Sequence, residues 1–374
     1  MDTDATEDQR ALLDVSIRFM EDACPLEVLR DTDHRDADFA DGYRKQGAEL
    51  GWFSMLVPEE HGGGSVTDNG LLDAALLAYV RGARLQPGPF VGTNVVAHAL
   101  VSAGSDEACA EVLPALVAGE ASATWAVASA RERTLDGGVA AELLSDGGLE
   151  LTGTKTAVPC VEGSSWLLVT ARSADGPAQA LVPADAPGVT VTGLDSLDLT
   201  RSFSDVGFDS VVVPASHVVG SPGAIDGRLD EQLAVAATLT AAESVGAMHH
   251  ELEMTVEYAK DRIAFGRPIG SFQAIKHVLA DTSLAVETSK ALVLAAATSL
   301  GSGDDHGIQA ASMAKAYVGD AGIELAQNCF QVFGGIGYTW EHDQHFYLRR
   351  LTTDAGLYGD AAWHREHLCQ LAGI

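Results

Sequence analysis

Basic residues are scarce in this chain. Lys and Arg number 23 against 53 Asp and Glu, a formal net charge of −30 at pH 7 over 374 residues. Such a field repels phosphate backbones and anionic membrane faces, which argues against nucleic acid as a partner. It also opposes an anionic substrate, so a phosphate-bearing ligand requires a local basic cluster set against the global charge. Cysteine is sparse as well. Cys24, Cys109, Cys160, Cys329 and Cys369 are scattered, odd in number and never paired as C-x-x-C, so neither a disulfide frame nor a zinc site is expected and the five read as reduced core residues. The histidines, His249-His250 and His342, His345 among them, lack the carboxylate-plus-histidine spacing of a metalloprotease, and no metal is expected. No run of about 18 uninterrupted apolar residues occurs, and Met1 to Arg10 is polar and acidic without a basic n-region or apolar h-region; the expectation is a soluble, cytoplasmic protein with no membrane partner.

The texture of the chain changes twice. From Glu7 to about Ala118 apolar residues recur at helical spacing, as in Leu12, Leu13, Val15, Ile17, Met20 and in Leu71, Leu72, Ala75, Leu76, Val80. Pro58-Glu59-Glu60-His61-Gly62-Gly63-Gly64 imposes a loop between helices there. Between Ala121 and about Ser221 short β-branched runs such as Trp166 to Thr170, Gly188 to Val191 and Ser210 to Val213 alternate with turn residues, the spacing of a sandwich or barrel. From Asp230 to Lys260 only Gly246 interrupts a long helical stretch, and Ala274 to Ser299 and Ile308 to Phe330 predict further helices, as in a bundle. Helices, then strands, then helices is a segregated α+β order, which excludes a Rossmann fold despite 39 glycines. Three domains are expected: 1–120, 121–225 and 226–374.

Two segments carry chemistry. In Arg262-Ile263-Ala264-Phe265-Gly266-Arg267-Pro268-Ile269-Gly270-Ser271-Phe272-Gln273, Gly266 can end the preceding helix, Pro268 cannot continue it, and Arg262 suits the negative end of the helix dipole. That explains glycine and proline but not Arg, Phe and Gln together. A guanidinium forks onto a pyrophosphate, an aromatic ring covers an adenine or ribose, and an amide hydrogen-bonds a ribose. The second segment, Gln331-Val332-Phe333-Gly334-Gly335-Ile336-Gly337-Tyr338, places paired glycines where a backbone can approach a ligand closely.

With these residues the chain resembles the acyl-CoA dehydrogenase family. The matches are Pro58-Glu59-Glu60-x-Gly62-Gly63, Gly153-x-Lys155, Tyr258-x-x-x-Arg262-x-x-Phe265-Gly266-x-Pro268-Ile269-x-x-x-Gln273, and Gln331-x-x-Gly334-Gly335-x-Gly337-Tyr338, in the family's order along nearly the whole chain. The resemblance implies an N-terminal helical domain, a central β-barrel or sandwich domain and a C-terminal four-helix bundle, assembled as a dimer of dimers. It implies FAD shared between protomers, with Arg262, Phe265, Gln273, Gln331, Gly334 and Gly335 holding the adenosine diphosphate half of a neighbour's flavin. An acyl-CoA substrate and an electron-transfer flavoprotein or similar acceptor are implied with it.

The chain departs from the family's pattern elsewhere. The Thr-Glu-Pro-x-x-Gly-Ser-Asp stretch that contacts a flavin ring is replaced by Trp125-Ala126-Val127-Ala128-Ser129-Ala130-Arg131-Glu132, and the ring-stacking positions after Lys155 hold Ala157-Val158-Pro159. α,β-Dehydrogenation needs a desolvated carboxylate to take the α-proton of the thioester. Gly359 stands where the family's glutamate follows a tyrosine, and Ala236 stands at the alternative base position. Glu231, Glu243 and Asp360 are the acids that could substitute. Glu231 also suits a helix first turn and Asp360 a turn. Glu243, in the small and apolar run Ala241 to Gly246, needs a partner, which another helix could equally supply. Elements for a neighbour's flavin are thus present while those for the chain's own ring and base are missing, the pattern of an accessory subunit beside a homologous base-bearing chain in a heterotetramer. Asp198-Leu199-Thr200-Arg201 and His342-x-x-His345 look similar to the actinobacterial subgroup that acts on steroid side-chain CoA thioesters, the histidine pair reading as an interface or surface feature. A self-sufficient homotetramer using Glu243 or Asp360, and a flavin-free acyl-CoA-binding or structural protein, are the alternatives.

Overall fold

The structure, a computed structural model, describes residues 5–31, 37–127 and 135–374. Helices α1 (Glu7–Ala23), α2 (Leu26–Asp31), α3 (Ala37–Glu49), α4 (Gly70–Ala83), α5 (Phe90–Ala103) and α6 (Asp106–Val117) come first. Strands β1 (Ala123–Ala126), β2 (Val139–Leu143), β3 (Leu149–Pro159), β4 (Trp166–Ser173), β5 (Gly176–Pro183), β6 (Val189–Leu194), β7 (Phe203–Val213) and β8 (Val218–Val219) follow. Helix α7 (Asp226–Asp261), the short strands β9 (Ile263–Ala264) and β10 (Arg267–Pro268), and helices α8 (Gln273–Gly301), α9 (Gly307–Phe333), α10 (Gln344–Gly356) and α11 (Ala361–Leu371) complete the order. The segregation of helix, strand and helix is that expected from the two changes of texture.

Compactness does not follow chain order. One unit gathers residues 1–32, 71–86 and 237–374, and the other residues 33–70 and 87–236, so α4 packs with the late helices while α5 and α6 pack with the strands.

In the strand-bearing unit a mixed sheet runs β6-β7-β3-β2-β4-β5-β8, with β1 parallel to β4. Its interior is aliphatic, with Leu149, Leu151, Val158, Leu167, Val169 and Val206 all buried, as alternation on a half-buried strand requires. The Gly153-x-Lys155 element is explained by this sheet alone. Gly153 has φ +138, and a Cβ there would lie 2.2 Å from the Gly138 carbonyl oxygen, so β2 and β3 approach only over a glycine. Lys155 is fully buried and its ammonium donates to the carbonyls of Val127, Leu135 and Gly137 at 3.2, 3.3 and 2.5 Å. The loop at Pro58 is equally local: Glu59–His61 form one 3₁₀ turn, and a Cβ on Gly63 would meet the Val57 carbonyl oxygen at 2.0 Å.

In the helical unit α4 and α7 meet backbone to backbone. A Cβ on Gly82 would sit 1.8 Å from the Glu243 carbonyl oxygen, and one on Gly246 would sit 1.9 Å from that of Tyr79. Gly246, which lowers helix propensity, is therefore a packing requirement of the crossing. Helices α8, α10 and α11 all pack on α9. By length and composition α8 could cross a membrane, but Asp281, Glu287 and Lys290 interrupt it, and Thr282, Val286, Ser289 and Val293 line its buried face at spacings of three and four. Of the cysteines, Cys24, Cys109, Cys160 and Cys329 are buried as expected, but Cys369 is exposed near the end of α11.

Candidate functional site

Helix α7 ends one residue short of Arg262, whose N–H donates to the Tyr258 carbonyl at 2.8 Å. Gly266 does not cap this helix as its position suggests. Instead Ile263–Ala264 and Arg267–Pro268 pair as a two-residue hairpin with Phe265 and Gly266 at its tip, at φ +52 and +77. Positive φ at both central residues is the twist a tight hairpin prefers, and Gly adopts it freely. Phe does not, yet Phe265 is held there with 95% of its surface exposed. Burial within this chain gives no reason for an aromatic at that tip. Its ring meets Phe272 edge-on at 6.1 Å, and the Arg267 guanidinium lies over Phe272 at 4.1 Å. Arg262, Arg267 and Gln273 are exposed beside it. This is a local cationic and aromatic cluster of the kind a phosphate-bearing ligand requires on so acidic a protein.

The second element closes α9. Gly334 takes φ +64 and ψ −139 and its N–H donates to the Phe330 carbonyl. A Cβ on either Gly334 or Gly335 would meet nothing within 4 Å, so packing inside the chain does not require a bare backbone at Gly335. That open cradle fits a ligand with a diphosphate. Gln331, in the last turn of α9, is exposed toward solvent.

The candidate bases are otherwise engaged. Asp360 is the N-cap of α11, its carboxylate accepting from the Trp363 N–H at 2.7 Å. Gly359 has φ +96, and a Cβ there would lie 2.9 Å from His364 Nε2 and 3.1 Å from Trp363 Cε3. His364 is itself fixed between Ser312 Oγ at 3.2 Å and the Tyr358 carbonyl at 3.0 Å. Burial, and then the nearby Lys315 cation, push its pKa down to about 4, so the ring is neutral. Beneath the turn the buried Lys315 ammonium donates to the carbonyls of Asp354, Ala355 and Gly359 at 3.0, 3.1 and 2.9 Å. Burial lowers its pKa to about 8. Glu243 is 2% exposed and faces two equally buried guanidiniums, Arg81 Nε at 3.9 Å and Arg350 Nη1 at 4.0 Å. Glu231, on the other unit, sits 3.4 Å from His98 Nε2, a hydrogen bond that lowers its pKa. Ala236 is fully buried.

At the positions expected to cradle a flavin ring, Trp125 is buried in β1 with its indole N–H on Thr170 Oγ1 at 2.8 Å, and Ala128 to Glu132 lie outside the described residues. Val158 belongs to the sheet core, and the exposed Ala157, at φ +48, presents only a methyl. The Asp198 carboxylate closes its own turn on Thr200 N and Oγ1, at 2.9 and 2.6 Å. His345 is not a surface feature, and His342 is half-buried. His345 is buried, stacked on Trp340 at 5.2 Å, and His342 Nδ1 accepts from the Gln344 N–H at 3.1 Å. Sequence reasoning left Tyr258, Phe333 and Arg81 without a role. That Tyr258 meets Phe333 and Arg81 meets Glu243 depends on which helices pack together, and no local pattern announces that.

Residues 6–120 match the family model "Acyl-CoA dehydrogenase, N-terminal domain" and residues 227–370 the model "Acyl-CoA dehydrogenase, C-terminal domain". The chain is 31% identical to Acyl-CoA dehydrogenase IpdE2 of Mycolicibacterium smegmatis over 324 residues, covering 86% of this chain and 84% of that protein. Among solved structures it is similar to a variant of the Tcur3481-Tcur3483 steroid ACAD, at 27% identity and TM-score 0.87 over 98% of each chain. It is also similar to the ChsE4-ChsE5 complex from Mycobacterium tuberculosis, at 26% identity and TM-score 0.87 over 100% of each.

Proposed function

Since the chain belongs to the acyl-CoA dehydrogenase family, FAD-dependent oxidoreductases acting on the CH–CH bond of acyl-CoA, we propose that it is the base-lacking subunit of a heteromeric enzyme. In this reading Arg262 forks onto the pyrophosphate, Phe265 covers the adenosine, and Gln273 and Gln331 hydrogen-bond the ribose, while Gly334 and Gly335 let the backbone close on the phosphates. FAD, when bound, supplies the acceptor for the hydride that leaves the β-carbon of the thioester. The matching proton must go to a carboxylate, and a homologous chain that carries the glutamate supplies it.

The turn at Gly359 is the observation that carries this reading. A general base must reach the α-carbon of the substrate, but at φ +96, with His364 2.9 Å from a would-be Cβ, this turn is built for no side chain. Asp360 is committed to a helix cap, and Glu243 to two buried guanidiniums that it faces. Two similar structures are named as two-chain assemblies, one of them for steroids, which supports a bulky steroid-derived acyl-CoA as substrate. An electron-transfer flavoprotein or similar carrier takes the electrons onward.

Stoichiometry tests the proposal. Expressed alone, the chain should purify nearly colourless and inactive toward acyl-CoA. Co-expressed with a base-bearing relative, it should form a heterotetramer with one FAD per pair of unlike chains. A yellow homotetramer with one FAD per chain and measurable turnover would overturn it.

A further inference from the structure

The two elements assigned to the adenosine diphosphate half of FAD lie on different helices, and one side chain joins them. Tyr258 is one helical turn before Arg262, and Phe333 immediately precedes Gly334. The two rings are 5.0 Å apart at 45°, and the Tyr258 hydroxyl donates to the Phe333 carbonyl at 3.4 Å. On its other side Phe333 meets His342 edge-on at 4.4 Å. The peptide between Phe333 and Gly334 is therefore held at both ends: its carbonyl by Tyr258, its N–H by the Phe330 carbonyl. Its plane sets the direction in which the glycine turn leaves the helix.

We propose that Tyr258 is a positioning residue for FAD, a strut that keeps the Arg262 hairpin and the Gly334–Gly335 turn in register so that both close on one diphosphate. This rests on the assignment of those elements to FAD made above. The physical need is clear. Glycines have the widest conformational freedom of any residue, and beyond the adjoining backbone nothing lies within 4 Å of where a Cβ at 334 or 335 would be. The 3₁₀ turn Gly334–Tyr338 is anchored downstream by the Tyr338 ring on Phe330 at 4.3 Å and by Gly337 against Phe333 and Gln344; at its start the glycines offer no side chain to pack, so the peptide before them sets how it leaves α9. A binding constellation loses its grip when its parts drift by more than about 0.5 Å. The Phe333 carbonyl lies at the junction of α9 and the 3₁₀ turn Gly334–Tyr338, so a hydroxyl brought in from α7 adds a donor that orients the junction. A phenyl ring would fill the same space but could not set that orientation.

The test compares FAD with FMN, which lacks the adenosine half, in the flavin-retaining assembly of this chain. Tyr258→Phe keeps the ring on Phe333 and removes only the hydroxyl. It should weaken FAD binding by about 3–10-fold, the worth of one lost hydrogen bond, leave FMN binding unchanged and leave the melting temperature of the flavin-free protein unchanged. Arg262→Ala is the companion variant. If Arg262→Ala weakens FAD but Tyr258→Phe does not, the strut is wrong while the site assignment stands. If Tyr258→Phe weakens FAD and FMN alike, or lowers the flavin-free melting temperature, Tyr258 serves the fold in general and the proposal is overturned. If Arg262→Ala retains FAD fully, the site assignment falls and takes the strut with it.

Discussion

At Gly334–Gly335 a Cβ on either residue would meet nothing within 4 Å, whereas at Gly359 it would press on His364 at 2.9 Å and Trp363 at 3.1 Å. Both turns close a helix of the same unit, and both contain a glycine at positive φ, +64 and +96. The first turn leaves room that its own chain does not use, and Gln331 before it is exposed, as are Arg262 and Phe265 of the hairpin. The second is filled from within by a neutral histidine and roofed over a buried lysine. A glycine can thus mark a place kept for a ligand or a place where packing has left no room. The sequence pattern around the residue does not distinguish the two.

The acids around the closed turn give the largest effect. Glu243→Gln removes the carboxylate that faces two buried guanidiniums, and breaking a buried charge pair from one side costs about 3–5 kcal/mol; urea melts should show that loss. A catalytic role would instead leave stability intact and lower turnover by roughly 10²–10⁴-fold, which would return Glu243 to the active site.

Substitution at the two glycines compares the turns directly. Gly359→Glu should cost about 1–2 kcal/mol for the left-handed backbone and about 1–3 more for crowding His364, without creating dehydrogenase activity in the chain alone. Gly335→Ala should change stability by less than about 0.5 kcal/mol and lower FAD retention in the assembly. Equal thermal stability in both variants would erase the distinction between the turns.

Acid should open the closed turn. The pKa of His364, lowered by burial from 6.5 to about 4, means that the unfolded chain binds this proton more tightly than the folded one. Its contribution is complete above pH 6.5, falls as the pH drops toward about 4 and is constant below. At ~1.4 kcal/mol per unit the full loss is about 3 kcal/mol. Denaturation at pH 7 and pH 4.5, run on the parent and on His364→Gln, should show the variant losing less between the two.

The smallest effect is expected at Asp360. Asn caps a helix as well as Asp does, so Asp360→Asn should leave both melting temperature and activity of the assembled enzyme nearly unchanged. A loss of turnover without a loss of stability would restore Asp360 as a base.

Much of this was legible in the residues in order. The segregated helix, strand and helix texture announced the architecture, because periodicity is a local property that each element carries in its own residues. Arg262, Phe265, Gln331 and the glycine pair are local signals of the same kind, and the nucleotide role proposed for them is read from residue types in order. Other positions misled. Gly266 reads as a helix end but lies at a hairpin tip, because α7 stops at Asp261 and lets two short strands pair. His345 and Cys369 reversed their expected places, His345 buried and Cys369 exposed.

The sequence by itself determined the order of the elements, the acidic field and the motifs from which one half of a flavin site, without the usual base, is proposed. The tertiary structure alone decided what surrounds the candidate acids and glycines. It brought Arg81 and Arg350 to Glu243 and Tyr258 to Phe333 from distant parts of the chain, and folded His364 back over the turn at Gly359. Which partner a buried charge finds, and whether the space beside a glycine is open or full, depends on how helices cross, and at α4 and α7 that crossing is set by the close fit of Gly82 and Gly246.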